Sequence, residues 1–157
     1  APGLDRSFAA QKWKNMDSKL WLEAADEAMD KEFHGQYDIW GGDIDPAAVE
    51  LAKHNAALAG VDDCIRFETA DAGKFHRDSE YGQLVTNPPY GERLLEKKEA
   101  EELYRAFGAA LRDLPPKWRV LVLSSHTEFE RCFGRSADKK RKLYNGMIKC
   151  DVFMYGK

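Results

Sequence analysis

The chain has 157 residues, of which 43% are hydrophobic and 32% are charged, and its formal net charge is -3. These values predict one globular domain over residues 1–157 with a sizeable buried core. The weak negative charge argues against a protein that binds nucleic acid over its whole surface, although local basic patches stay open. No apolar stretch approaches the roughly 20 residues of a membrane span, so a cytoplasmic protein without membrane contact is expected.

Cysteines and the amino terminus add two expectations. Cys64, Cys132 and Cys150 are widely spaced, with no CxxC pair and no histidine pattern of a zinc site, which predicts reduced thiols and no metal. The chain starts at Ala1 without a methionine or a signal-peptide pattern, which indicates a fragment.

The first half of the chain alternates helices and strands. Ser18 is predicted to cap a first helix, and residues 37–43 form a short strand that ends in glycines and acids. Asp45 then caps a helix that begins at Pro46, since a missing N–H costs nothing at that position. A further strand, residues 64–69, follows it.

The second half continues the alternation. A strand over residues 83–86 ends at Asn87-Pro88-Pro89-Tyr90, and the apolar stripe that follows predicts a helix from about Glu99 to Asp113. Residues 119–124, RVLVLS, form the kind of apolar run found in a parallel strand covered on both faces. A short helix lies within residues 126–133, and residues 142–153 predict a hairpin around Asn145-Gly146.

This order of elements predicts an open, mostly parallel sheet with helices on both faces and an antiparallel hairpin at its end. Ligands of such sheets bind at the carboxyl ends of the strands. Three polar stations fall at such ends: residues 43–45, Asp71 and residues 87–90.

The first two stations suit a nucleoside. A carboxylate at Asp43 can accept both hydroxyls of a ribose, and Ile44 can lie against a flat adenine ring. Asp71, followed by Ala72, can accept the exocyclic amine of the same adenine. Asp45 is better explained as a helix cap than as a ligand. Taken singly, Asp71 is an ordinary turn residue, and only its register with Asp43 favours a binding role.

The third station suits an amino group. Two successive prolines keep the backbone extended after Asn87, so the Asn87 side-chain oxygen and the Pro88 carbonyl can both point outward as acceptors. Accepting both N–H bonds of a conjugated amine orients its nitrogen lone pair toward an electrophile. Tyr90 can stack on the flat base. A proline-rich turn that only ends the strand is the alternative.

Two other groups of side chains are less specific. Ser124, Ser125 and His126 lack a third orienting group, so Ser125 is predicted to cap a helix rather than to act as a nucleophile. Nucleic-acid contact is predicted for one basic cluster, although a charged edge strand that resists aggregation explains it equally well; its residues are Lys139, Lys140, Arg141 and Lys142. Arg93 can steady the substrate backbone or pair with a neighbouring glutamate.

The motif NPPYGERL, residues 87–94, resembles a signature of methyltransferases that act on amino groups with S-adenosylmethionine. Together with FGRSADKKRKLYNG and the opening APGLDRSF, it resembles proteins labelled N6-adenine-specific DNA methylases, which are related to RlmL-type guanine-N2 methyltransferases of large-subunit ribosomal RNA. The resemblance implies a Rossmann-like methyltransferase domain, an upstream THUMP-type RNA-binding domain and an RNA substrate.

One departure from that family concerns the cofactor. The family's first strand and glycine-rich turn, which hold the methionine part of S-adenosylmethionine, match nothing here; Gly35, Gly41 and Gly42 lack the required context. That strand is central in the family order 3-2-1-4-5-7-6, so the sheet is predicted to have a gap or a new neighbour. The chain is therefore expected to be the C-terminal piece of the domain and to bind the cofactor weakly or not at all.

Several functions stay open. DNA adenine-N6 methylation and methylation of a protein glutamine amide use the same acceptor chemistry, and KKRKLYNG favours RNA guanine only through the resemblance. A non-catalytic binding or assembly fragment is a further alternative because the glycine-rich turn is missing. A nicotinamide dehydrogenase would leave NPPY unexplained and lacks its own GxGxxG.

Overall fold

The computed structural model describes residues 7–33, 35–91 and 94–156. It contains two compact units, one ending at Asp38 and one beginning at Ile39, and each is described by itself. The prediction of a single domain over residues 1–157 stays a prediction.

The first unit contains a 3-10 turn, Ala9–Lys12, and helix α1, Ser18–Asp30. The cap of α1 is Asp17, whose carboxylate accepts from the Lys19 backbone N–H at 2.9 Å, so the prediction of Ser18 as the cap is wrong by one residue. A carboxylate accepts this hydrogen bond more strongly than a hydroxyl does, and its negative charge is stabilised by the positive end of the helix dipole.

The second unit alternates strands and helices as predicted. Its elements are β1 (Ile39–Asp43), α2 (Pro46–Leu58), β2 (Ile65–Thr69), β3 (Tyr81–Thr86), α3 (Leu94–Ala110), β4 (Lys117–Ser124), α4 (Phe129–Phe133), β5 (Lys139–Asn145) and β6 (Ile148–Tyr155). Helix α3 begins five residues before the predicted start at Glu99, since residues 96–99 are charged and carry no apolar period. A 3-10 turn, Leu111–Asp113, continues it.

The strands form two separate sheets. One pairs β1 with β2 in parallel, and the other has the order β3-β4-β6-β5, with β3 and β4 parallel and both contacts of β6 antiparallel. The α/β class, the parallel pairs and the closing antiparallel hairpin are thus confirmed. Within residues 7–33, 35–91 and 94–156, no strand pairs with the second edge of β1 or β3. This is the gap that the sequence predicts.

An aromatic core covers one face of the four-stranded sheet. Strands β4 and β6 face helices α3 and α4 across buried residues that include Tyr104, Phe107, Val122, Phe129, Phe133 and Phe153. Phe129 packs on Phe153 with ring centroids 4.5 Å apart. On β4, Val120 and Val122 are buried, while Leu121 and Leu123 on the other face are only half-buried, so the expectation of full cover on both faces is wrong.

The other face of this sheet is most open along β3. Tyr81 and Val85 point to that face and are 73% and 72% exposed. Two large exposed side chains on one face of a strand indicate a surface that further polypeptide can cover.

The closing hairpin turns one residue later than predicted. Asn145 still pairs with Ile148, so Gly146 and Met147 form the two-residue turn. Gly146 has φ 61°, and no non-glycine residue of the described chain has a positive φ. A positive φ at the first turn position alone is typical of a type II′ turn, in which glycine rather than asparagine is the required residue.

No helix in the described ranges is both long and apolar enough to cross a membrane.

Candidate functional site

The motif NPPY leaves the carboxyl end of β3, as the sequence predicts. Strand β3 ends at Thr86, and the Tyr90 hydroxyl donates to the Asn87 side-chain oxygen at 2.6 Å. The Pro88 carbonyl accepts no hydrogen bond from the described residues. Gly91 then turns the chain with φ 68°, where a Cβ atom would lie 2.6 Å from the Lys97 Cα. The motif is therefore held in one geometry by the start of α3.

A buried tyrosine holds the second proline from beneath. Tyr104 is fully buried, and its hydroxyl donates to the Pro89 carbonyl. The Tyr104 hydroxyl oxygen also lies 3.4 Å from the Ser124 hydroxyl. Burial raises the pKa of Tyr104, which keeps the phenol protonated as a donor. The sequence reading missed this residue, although Tyr104 lies three positions before Phe107 in the apolar stripe of α3. A tyrosine among the apolar residues of α3 was the sequence feature that could have indicated a buried hydroxyl in need of a hydrogen-bond partner.

The closing hairpin reaches the motif through Tyr90. The Asn145 side-chain N–H donates to the Tyr90 hydroxyl oxygen at 3.3 Å, and the buried Cys150 thiol lies 3.7 Å from the same oxygen. Burial is the largest cause that raises the pKa of Tyr90. Asn145 and Cys150, which follow Tyr90 by 55 and 60 positions in the sequence, thus both contact its hydroxyl.

A cavity of about 390 Å³ adjoins the motif. Pro89, Tyr90 and Gly91 form one wall, and Glu99, Ala100 and Leu103 of α3 form the other. Its volume lies within the usual range of small-molecule sites, and its mostly apolar walls suit a flat ring.

Ser124 and His126 form a structural turn. The Ser124 hydroxyl accepts from the His126 backbone N–H at 3.1 Å, and His126 Nδ1 accepts from the Glu128 N–H at 3.2 Å. Burial lowers the pKa of His126, whose Nε2 lies 3.7 Å from Glu101. The prediction that Ser125 caps a helix is wrong: Glu128 holds the N-cap position of α4 and makes no side-chain cap bond.

The acidic stations lie together at the ends of β1 and β2. Asp43 pairs with Thr69 across the two strands, and the Ala70 N–H donates to the Asp43 carbonyl at 2.9 Å. One Asp43 carboxylate oxygen accepts from the Asp45 N–H at 2.9 Å, while the exposed second oxygen stays available.

The remaining residues of these stations divide between capping and exposure. Asp45 caps α2 through the Ala47 N–H at 2.9 Å, and Asp71 accepts from the Gly73 N–H at 2.8 Å. Ile44 is 69% exposed and Ala72 begins a 3-10 turn. These hydrogen bonds agree with the alternative in which Asp45 is a helix cap and Asp71 a turn residue. A ligand role for either residue stays a prediction.

Gly41 and Gly42 lie within β1 and do not form a loop. A Cβ atom at Gly41 would lie 2.9 Å from the Phe67 ring, so this glycine serves packing between β1 and β2. No hydrogen bond of the described residues joins the acidic stations to NPPY. The structure therefore brings the stations together in two groups, one on each sheet.

The basic residues of β5 are exposed, and only some are paired. Lys140 donates to Glu130 at 2.7 Å, and Lys142 lies opposite Asp151. Lys139, Arg141 and Lys142 have no ion pair with any described residue. Arg93 lies outside the described residues. No cluster of three metal-binding side chains occurs in the described ranges.

Comparison with known proteins gives a consistent result. The family described as "RMKL-like, methyltransferase domain" matches residues 1–153. YpsC of Bacillus subtilis (strain 168), named as a supposed RNA methyltransferase, is 42% identical over 156 residues, which cover 99% of this chain and 40% of YpsC. The Ribosomal RNA large subunit methyltransferase K/L of Shewanella baltica (strain OS185) is 38% identical over 160 residues, covering 99% of this chain and 23% of the relative.

A solved structure extends the similarity to three dimensions. SMU.472, crystallised as a complex with SAH, superposes with a TM-score of 0.92 and 39% identity over 99% of this chain and 42% of its own. The chain thus spans less than half the length of each of these three proteins.

Proposed function

Since the chain belongs to the family of RMKL-like methyltransferase domains, we propose that it uses S-adenosylmethionine to methylate an exocyclic amino group of a nucleic-acid base. The preferred substrate is guanine N2 of large-subunit ribosomal RNA. A relative named for large-subunit ribosomal RNA supports RNA, and the guanine rests on the resemblance of the motifs.

The observation that carries this proposal is the pair of acceptors at the end of β3. The Pro88 carbonyl has no described partner, and Asn87 Oδ1 has one of its two lone pairs engaged by Tyr90. Two fixed acceptors can take both N–H bonds of a base amine and stabilise the positive charge that develops on its nitrogen. The Tyr90 ring and the neighbouring cavity suit the flat base itself.

The described residues fit the nucleoside half of the cofactor. Asp43 offers a carboxylate oxygen at a strand end, and Ile44 exposes an apolar side chain beside it, while Asp71 and Ala72 follow the neighbouring strand. S-adenosylmethionine supplies, when bound, a methyl group that is already electrophilic. The protein's part is then to align the acceptor nitrogen within about 3 to 3.5 Å of it.

The methionine half of the cofactor needs residues beyond those described. Neither Gly41 nor Gly42 lies in a strand-to-helix turn, and no strand of the described ranges pairs with the second edge of β1 or β3, the two strands that the resemblance would separate by the family's first strand. We infer that an upstream segment, or a partner chain, supplies this strand and its glycine-rich turn. A THUMP-type RNA-binding domain upstream belongs to the same inference.

RNA contact by the hairpin is a separate step of the proposal. Lys139 and Arg141 carry charges without a described ion-pair partner, so they are better placed to hold phosphates than Lys140, which is engaged by Glu130. DNA adenine-N6 methylation is the second candidate, because its amine fits the same two acceptors.

Methyl transfer from labelled cofactor by the intact gene product tests the proposal. We expect product on unmodified ribosomal RNA and none on DNA or protein. Product on DNA adenine alone would overturn the RNA assignment, and transfer to none of the three would favour a non-catalytic fragment.

The Asn87→Ala variant tests the amino-group site. Removing one preorganised acceptor is expected to reduce kcat by a factor on the order of 100 to 1,000, with the Kd for SAH unchanged. Asn55→Ala is the matched control, because Asn55 is exposed on α2 and its side chain has no described bond. Normal turnover in Asn87→Ala would show that the acceptor role is wrong.

A further inference from the structure

Asn145 is not needed by the turn that it precedes. It lies in β5 opposite Ile148 with an ordinary negative φ, and Gly146 alone takes the positive φ of the turn. Asparagine is also disfavoured in strands relative to β-branched and aromatic residues. The local backbone therefore gives no reason for an asparagine here.

Its side chain makes a contact that joins the hairpin to NPPY. Asn145 Nδ2 lies 3.3 Å from the Tyr90 hydroxyl oxygen, and that hydroxyl lies 2.6 Å from Asn87 Oδ1. A phenol has a single hydrogen, while an amide NH₂ group can only donate. With Asn145 donating to its oxygen, the Tyr90 hydroxyl is left to donate to Asn87.

The direction of that hydrogen decides how Asn87 presents its oxygen. An amide oxygen has two lone pairs, so Asn87 Oδ1 can accept from Tyr90 and from a base amine together. The bond from Tyr90 fixes the rotation of the Asn87 amide and leaves the second lone pair for the amine. Without it, the exposed Asn87 side chain can rotate and present its NH₂ group, which repels an amine N–H.

We propose that Asn145 is a positioning residue for the amino-group site, acting through the Tyr90 hydroxyl to fix the Asn87 oxygen and the tilt of the Tyr90 ring. The inference rests on the proposed function of NPPY. It gives a role to the asparagine of the KLYNG motif, 55 positions from Tyr90. Cys150 supports the same oxygen from the neighbouring strand at 3.7 Å.

The first test needs no substrate. In the 157-residue chain labelled with ¹³C at the tyrosine ring carbon that bears the hydroxyl, the Tyr90 resonance is assigned by its loss in Tyr90→Phe. We expect this resonance to shift in Asn145→Ala and in Asn145→Asp, which keeps the shape of the side chain but removes its donor. The control is Met147→Ala, since Met147 is 97% exposed in the same turn; its Tyr90 resonance should stay in place. An unmoved resonance in both Asn145 variants would overturn the inference.

The second test asks whether the contact serves methyl transfer. In the intact gene product acting on unmodified ribosomal RNA, Asn145→Ala is expected to lower kcat about fivefold, the effect of one hydrogen bond, with the Kd for SAH and the Tm unchanged. In a Tyr90→Phe background the same substitution should have no further effect, because its route to Asn87 is gone. If Asn145→Ala instead lowered kcat by the same factor in the Tyr90→Phe background, the positioning role would be wrong.

The two tests separate the possible failures. A shifted resonance together with a kcat that is unchanged in Asn145→Ala would contradict positioning while leaving the contact intact. Normal turnover of Asn87→Ala would instead contradict the proposed function of NPPY, whatever the resonance shows.

Discussion

The Tyr104 hydroxyl is the single buried polar group that most directly holds NPPY. It donates to the Pro89 carbonyl, and the residue is completely removed from solvent. Proline has no N–H, so the two prolines cannot be held by the usual strand hydrogen bonds on their nitrogens. A donor from α3 to the carbonyl of Pro89 takes over that function.

The Tyr104→Phe variant is expected to lower the free energy of unfolding by about 1 to 2 kcal/mol, because the Pro89 carbonyl loses its donor without gaining water. Urea unfolding of the chain measures this. Tyr81→Phe is the matched control, since Tyr81 is 73% exposed and its hydroxyl has no described partner; its unfolding free energy should change by less than about 0.5 kcal/mol. Equal stabilities of the two variants would show that the Tyr104 bond contributes nothing.

At the scale of elements, α3 and α4 are in close contact at Gly108. A Cβ atom there would lie 2.0 Å from the Phe133 carbonyl oxygen, and that atom belongs to the backbone and cannot rotate away. Phe107 and Phe133 pack beside this point with ring centroids 5.9 Å apart. The glycine therefore sets the distance between the two helices that cover the sheet.

The Gly108→Ala variant should be destabilised by about 1 to 3 kcal/mol, as for other overpacked cores. The net loss of stability appears only if the steric clash costs more than the gain of about 1 kcal/mol that alanine gives over glycine in a helix. Thermal unfolding is the measurement. In Gly42→Ala, where the nearest atom would lie 3.7 Å from the new Cβ, the stability should change by less than about 1 kcal/mol. A stabilised Gly108→Ala protein would contradict the close contact.

At the scale of the whole molecule, the second unit holds two sheets that do not pair with each other. The acidic stations belong to the β1-β2 sheet and NPPY to the four-stranded sheet. A ligand that contacts both the acidic stations and NPPY therefore depends on how the two sheets are held together. No strand of the described ranges pairs with the second edge of β1 or β3, and a further parallel strand there would hydrogen-bond to their backbones.

The affinity for SAH should therefore depend on the segment that we propose to complete the sheet. We expect the 157-residue chain to bind SAH at least about tenfold more weakly than the intact gene product, a difference of about 1.4 kcal/mol. Adenosine is the internal control and should bind both proteins similarly, because its proposed contacts lie at Asp43, Ile44 and Asp71. Calorimetric titration measures both ligands. Equal affinities for SAH would contradict the proposed division of the site.

The sequence by itself determined the alternation of elements, the strand ends that carry Asp43, Asp71 and Asn87, the cap at Asp45 and the hairpin. These features depend on apolar periodicity, on proline and on capping residues, which act over a few positions. The resemblance to a known strand order also predicts a gap or a new neighbour beside β1, and no strand of the described ranges pairs with that edge.

Only the tertiary structure decided which side chains support the motif. The sequence pattern did not single out Tyr104, and it indicated Asn145 only as part of a hairpin turn, because a local pattern does not show a partner 15 or 55 positions away. The errors at Ser18 and Ser125 have local causes, since the neighbouring Asp17 caps α1 and no side chain caps α4. Contacts between distant segments depend on how the helices and strands pack, and that packing places the Tyr104 hydroxyl against the Pro89 carbonyl and the Asn145 amide against the Tyr90 hydroxyl.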